Sequence, residues 1–136
     1  MKIILFTVFM AMSCSLVEGQ RLQSESYATI GYIKADGTIQ NKSRSIVGYI
    51  KPDGTIQNSS YTTIGYIKSN GAILNSKNST LGYIESDGTV QNKSYSTIGY
   101  IKDNGAVQNS SYTTIGYAKG VKKGRAAVIF FFFEFE

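Results

Sequence analysis

Glycine returns every 17 residues along this chain, at Gly31, Gly48, Gly65, Gly82, Gly99 and Gly116. A second series, Gly37, Gly54, Gly71, Gly88 and Gly105, keeps the same spacing, with no insertion anywhere. A repeat this short is one supersecondary unit that cannot bury an apolar face alone, so stacked copies must supply a shared core. That excludes most folds before any other feature is considered.

Each unit reads as a β-hairpin. One arm is Ile-Gly-Tyr-Ile-Lys and the other Thr-Ile-Gln-Asn, as at residues 30–34 and 38–41. Both are short and rich in β-formers. The turn has the form x-[Asp/Asn]-Gly in all five copies. Pro52 types it: a two-residue Asp-Gly loop would leave proline in a strand without its donor. A three-residue loop puts Pro52 at the second position of a type I turn and Gly54 in the left-handed bulge position. Gly37, Gly71, Gly88 and Gly105 then take the same structural role. With that loop Lys34 pairs with Thr38, and Ile33 lies opposite Ile39. The same rule predicts Ile50 with Ile56, Ile67 with Ile73, Ile84 with Val90, and Ile101 with Val107. Gly31 and its relatives share that aliphatic face, because side chains alternate.

The ends are half-units. Residues 22–29 align with 90–97, the second half of a repeat, and residues 115–119 are a first half. Paired together they would close a ring and leave no repeat edge exposed. The expected layout is therefore a repeat domain over residues 20–119. Its units lie near 30–46, 47–63, 64–80, 81–97 and 98–114, with half-units at 20–29 and 115–119.

Residues 1–19 read as a signal peptide: Lys2, then the apolar stretch 3–12, then Val17 and Gly19 as small residues before Gln20. An exported chain, periplasmic, secreted or at the cell surface, is expected. The alternative cleavage leaves Cys14 as an acylated amino terminus, since residues 11–14 loosely resemble a lipobox. Residues 120–125 form a basic, glycine-bearing linker. Residues 126–136 follow as a Phe-rich segment with eight uninterrupted apolar residues, too few to span a bilayer as a helix. Packing over the end of the ring is expected, with oligomer or membrane contact as the alternatives.

The repeat Ser-Thr-Ile-Gly-Tyr-Ile-Lys-x-Asp-Gly-Thr-Val-Gln-Asn, with its Thr-Ile-Gly-Tyr-Ala-Lys-Gly-Val-Lys-Lys ending and Ala-Ala-Val-Ile-Phe-Phe-Phe-Phe tail, resembles the five-fold β-flower family over residues 22–136. The resemblance implies an all-β protein of hairpin petals around a pseudo-five-fold axis, exported by Bacteroidetes. Five complete units agree with that count, and the half-units leave room for a sixth, split petal. It implies no transferable activity.

Chemistry has little to stand on. The chain has no histidine, the commonest general base and metal ligand, and its one cysteine is Cys14. The Asp-Gly turns supply at most one carboxylate each, short of the six or more oxygens a calcium ion takes. No cofactor, metal or catalytic residue is expected. Glu85, the one acid at a lysine position of the repeat, reads as surface drift. The net charge of +5 is carried by scattered lysines and arginines, so no nucleic-acid partner is expected. Ten tyrosines remain. Tyr32, Tyr49, Tyr66, Tyr83, Tyr100 and Tyr117 follow the first glycine series and would form an aromatic belt beside Asn and Gln amides. Sugar C–H faces stack on such rings while amides meet their hydroxyls. Cross-strand packing is the plainer explanation of the same residues. A second set, Tyr27, Tyr61, Tyr95 and Tyr112, gives way to Arg44 and Asn78 in two copies and reads as surface. The expectation is a binding module with glycans as the ligand class. The alternative is an envelope assembly protein that uses its Phe-rich tail.

Overall fold

A computed structural model describes residues 19–135. The signal segment and Cys14 lie outside the described residues. Twelve short strands follow one another: β1 (Gln20–Ser24), β2 (Thr29–Ile33), β3 (Thr38–Asn41), β4 (Ile46–Ile50), β5 (Thr55–Asn58), β6 (Thr63–Ile67), β7 (Ala72–Asn75), β8 (Thr80–Ile84), β9 (Thr89–Asn92), β10 (Thr97–Ile101), β11 (Ala106–Asn109) and β12 (Thr114–Tyr117). Each is antiparallel to its sequence neighbours, and β1 pairs with β12, which closes a barrel. The sheet therefore has no free edge for a second chain to extend.

The turns have the expected geometry. Lys51 N–H donates to the Thr55 carbonyl at 2.8 Å and Gly54 N–H to the Lys51 carbonyl at 2.9 Å. The three-residue loop Pro52–Asp53–Gly54 is thus a type I turn with Gly54 at φ +94°. Ile33 stands opposite Ile39, Ile50 opposite Ile56, and Ile84 opposite Val90. Five hairpins are continuous. The sixth position is assembled from the two ends, where Gln23 meets Tyr117 and Ser24 meets Gly116, as Gln40 meets Tyr32 and Asn41 meets Gly31. Neighbouring hairpins are joined by one bond each at the turn end, such as Ile50 N–H to the Gly37 carbonyl at 2.8 Å.

A barrel of about eight strands can be filled by its own side chains, and a larger one leaves central space. With twelve strands, the Phe-rich segment occupies that space. It enters as helix α1 (Lys123–Ala127), so Lys123, Gly124 and Arg125 are helical rather than linker, and continues as a π-helical turn over Val128–Phe132. Ala126, Ala127 and Val128 are fully buried in one cluster with Ile33, Ile50, Ile56 and Ile101. Each such isoleucine or valine side chain contributes about 1.5–3 kcal/mol by burial. Arg125 Nη1 donates to the Ala35 carbonyl at 3.3 Å, and Lys123 pairs with Asp103 at 2.7 Å, which fixes the entry of the helix at the Asp-Gly end.

The first glycine series makes room for phenylalanine. A Cβ added at Gly82 would meet the Phe132 ring at 2.6 Å, and one at Gly116 the Phe130 ring at 2.6 Å. Gly99, Gly65 and Gly48 face Phe131, Phe133 and Phe135 in the same way. Consecutive rings thus reach consecutive petals. An α-helix turns each residue by about 100°, too far for neighbouring positions on a six-membered ring. The π turn, closed by Phe133 N–H to the Val128 carbonyl at 3.0 Å, rotates each residue less and brings the fan closer to the petal spacing.

Candidate functional site

The six belt tyrosines all point outward, opposite the polar position of the adjoining strand: Tyr32 faces Gln40, Tyr49 faces Gln57 and Tyr100 faces Gln108. Tyr66 instead faces Leu74. The structure does not join them into one continuous aromatic surface. It pairs four of them with a tyrosine, and Tyr32 with Arg44, at the second loop position of the same petal, which sequence reading had set aside as surface. Tyr49 stacks on Tyr61 with ring centroids 4.9 Å apart, Tyr83 on Tyr95 at 4.6 Å and Tyr100 on Tyr112 at 4.9 Å. Tyr117 stacks on Tyr27 at 4.5 Å across the split petal. Within the continuous hairpins the signal was a separation of 12 residues, hidden by the two positions where tyrosine is replaced.

Those replacements change the site. Arg44 lies over the Tyr32 ring, 3.9 Å from its centroid, a cation–π contact. At the third hairpin Asn78 stands where the stacking ring would be, and no ring or cation covers Tyr66 among the described residues.

The capping residues are held by a second loop series. Asn41 N–H donates to the Ser45 carbonyl and Arg44 N–H to the Asn41 carbonyl, both at 2.9 Å. The Asn41 Oδ1 accepts from the Ser43 and Ser45 N–H groups at 2.9 and 3.0 Å. The last loop residue is left-handed: Tyr27, Arg44, Tyr61, Asn78, Tyr95 and Tyr112 have φ between +66 and +69°. A non-glycine residue there costs on the order of 1–3 kcal/mol. Tyr27, Tyr61, Tyr95 and Tyr112 are nonetheless about two-thirds exposed, 64 to 67%. Each offers one ring face to its stacking partner and the other to solvent.

The hydroxyls add polarity. Those of Tyr49 and Tyr61 are 3.1 Å apart, Tyr100 and Tyr112 3.2 Å, Tyr117 and Tyr27 3.0 Å. Hydrogen bonding to the partner hydroxyl favours the neutral phenol, so Tyr49, Tyr83, Tyr100 and Tyr117 titrate above the ordinary tyrosine range. Where the split petal meets the first hairpin, a recess of 500 Å³ brings Arg21, Arg44 and Lys119 around Tyr32. The Asp-Gly turns are built differently: the Asp53 and Asp87 carboxylates each accept the N–H two residues on at 2.9 Å, which lowers their pKa below the usual range. Among the described residues no cluster of three or more acids, histidines or cysteines could hold a metal ion. No helix there is long and apolar enough to cross a membrane.

A family model described as 5-fold beta-flower protein matches residues 19–134. Comparison with curated proteins and with solved structures gave no match.

Proposed function

The chain belongs to the 5-fold beta-flower family, and on that scaffold we propose that it is an exported, non-catalytic binding module that holds glycan chains across its tyrosine platforms. The observation that carries this reading is the exposed, left-handed tyrosine repeated at four hairpins. The fold does not require it, since the same backbone accepts arginine at Arg44 and asparagine at Asn78. A strained, exposed aromatic with one face open is a stacking surface for the C–H face of a sugar. Paired phenol hydroxyls supply donors and acceptors beside it. The cationic recess around Tyr32 favours glycans that carry carboxylates or sulfates. Export rests on the amino-terminal pattern of residues 1–19; amino-terminal sequencing of the exported product should start at Gln20, and an acylated Cys14 there would overturn that cleavage. The alternative, an assembly protein that offers its Phe-rich tail to a partner, is less favoured because these rings are partly buried and packed against the core.

The test is retention on a glycan array of the protein and of a triple variant, Tyr61→Asn, Tyr95→Asn and Tyr112→Asn, which copies the hairpin with Asn78. Binding to acidic glycans, lost in the variant with unchanged circular dichroism, is the expected result. Equal binding by parent and variant sinks the proposal, as does a folded parent that retains no glycan.

A further inference from the structure

The interior fan is incomplete. Five phenylalanine rings lie against Gly116, Gly99, Gly82, Gly65 and Gly48, one petal after another. Among the described residues the sixth glycine of the series, Gly31, has no ring against it: the nearest atoms to an added Cβ belong to the backbone of Gln40 and Asn41. In place of the ring is a cavity of 320 Å³ walled by Leu22, Ile30, Ile39, Val47, Phe133 and Phe135. Its volume lies at the small end of the range for ligand sites, about 300–1,000 Å³. A second observation agrees. Ile30 is 45% exposed, whereas Ile64, Ile98 and Ile115, its counterparts, pack against the core. Among the described residues Glu134 is the one charged residue on the cavity wall, and it is exposed between Phe133 and Phe135.

We propose that this vacant sixth position binds a monocyclic aromatic amine, its ring against Gly31 as the tail's rings lie against the other five glycines, and its ammonium at the Glu134 carboxylate. The ring is specified by the repeat: glycine removes the side chain, and the flanking aliphatics leave a slot of the shape that a phenyl group fills five times over. The amine is specified by charge, because a carboxylate at the mouth favours a cation and repels an acid. The site is separate from the tyrosine platforms and stands or falls apart from them.

The experiment is an amide NMR titration of the protein with benzylamine, read at Gly31 and Val47, beside benzyl alcohol and cyclohexylmethylamine. Benzylamine should give saturable shifts with a Kd on the order of 1 mM or tighter. Benzyl alcohol should bind roughly threefold more weakly for want of the charge. Cyclohexylmethylamine should bind roughly fivefold more weakly for want of a flat aromatic ring. Ile30→Phe, which fills the slot from its rim, should abolish binding. Glu134→Gln, at an exposed site that folding does not use, should erase the preference for amine over alcohol while ring binding persists. Unsaturable shifts, equal binding of the cyclohexyl compound, or an unaltered amine preference in Glu134→Gln overturns the proposal. So do contacts showing the slot filled by the chain's own last residue.

Discussion

Every hairpin ends in the same loop twice, and the two ends obey opposite sequence rules. At one end Gly37 closes the loop with a 2.9 Å bond from its N–H to the Lys34 carbonyl, and at the other Arg44 does so with a 2.9 Å bond to the Asn41 carbonyl. Both residues are left-handed. What differs is what lies beside them. Gly37, Gly88 and Gly105 are buried, and a Cβ on any turn glycine would strike the backbone of the next hairpin, Ile50 for Gly37 and Ile101 for Gly88. The capping residues at the other end stand in solvent, and a large ring there meets only the ring it stacks on. The same φ therefore demands glycine where the loop docks and tolerates tyrosine, arginine or asparagine where it does not.

The comparison breaks most visibly at the buried end. Gly88→Ala combines left-handed strain with a clash against a hydrogen-bonded carbonyl, so a loss of about 3 kcal/mol or more is expected in denaturant unfolding. If that substitution proves as mild as one at the exposed end, burial is not what separates the loops. Next comes Asn92→Ala, which strips the Oδ1 acceptor from the Ser94 and Ser96 N–H groups; about 1–2 kcal/mol should be lost, because water can still reach them. Tyr95→Asn should change stability by less than about 1 kcal/mol, since relief of strain offsets the lost stacking. A cost matching Gly88→Ala would make the tyrosine a structural residue and remove the ground for a ligand surface.

The smallest effects come with pH, and the two ends should answer at opposite extremes. Asp36, Asp53 and Asp87 have folded pKa values lowered chiefly by the N–H bonds from Thr38, Thr55 and Thr89. Their contribution is present above the ordinary carboxylate range and is lost as pH falls through the lowered values. The paired tyrosines are shifted upward, so theirs is present below about pH 10 and is lost as pH rises through the raised values. Amide exchange at Gly54 and Gly88 should quicken first in acid, and exchange at Tyr61 and Tyr95 first in alkali. Asn41 and its counterparts do not titrate, so acid should leave their loops closed.

Much of the fold was legible because local chemistry dictates it. Pro52 typed the turn, the turn set the register, and the register placed Ile33 against Ile39. The half-units at the ends predicted the split petal that β12 and β1 form. The candidate site was only half legible. The belt tyrosines follow the glycine period, but Tyr61 and its relatives looked dispensable, because Arg44 and Asn78 stand at the same loop position. No one-dimensional pattern states that a left-handed residue turns its ring back onto the strand of its own hairpin. The Phe-rich segment was the least legible. Packing over the end of the ring was expected of it, but a run of phenylalanine has no period that announces a helix.

By itself the sequence determined the unit, its turn, its inward face and the pairing of the chain ends, since each depends on contacts within some 17 residues or on an exact repeat. Tertiary structure alone decided the rest. Closing twelve strands creates an interior too wide for isoleucines and valines to fill. That void made a helix of Lys123–Ala127, drew the rings of the tail onto the glycines, and left the position at Gly31 without one.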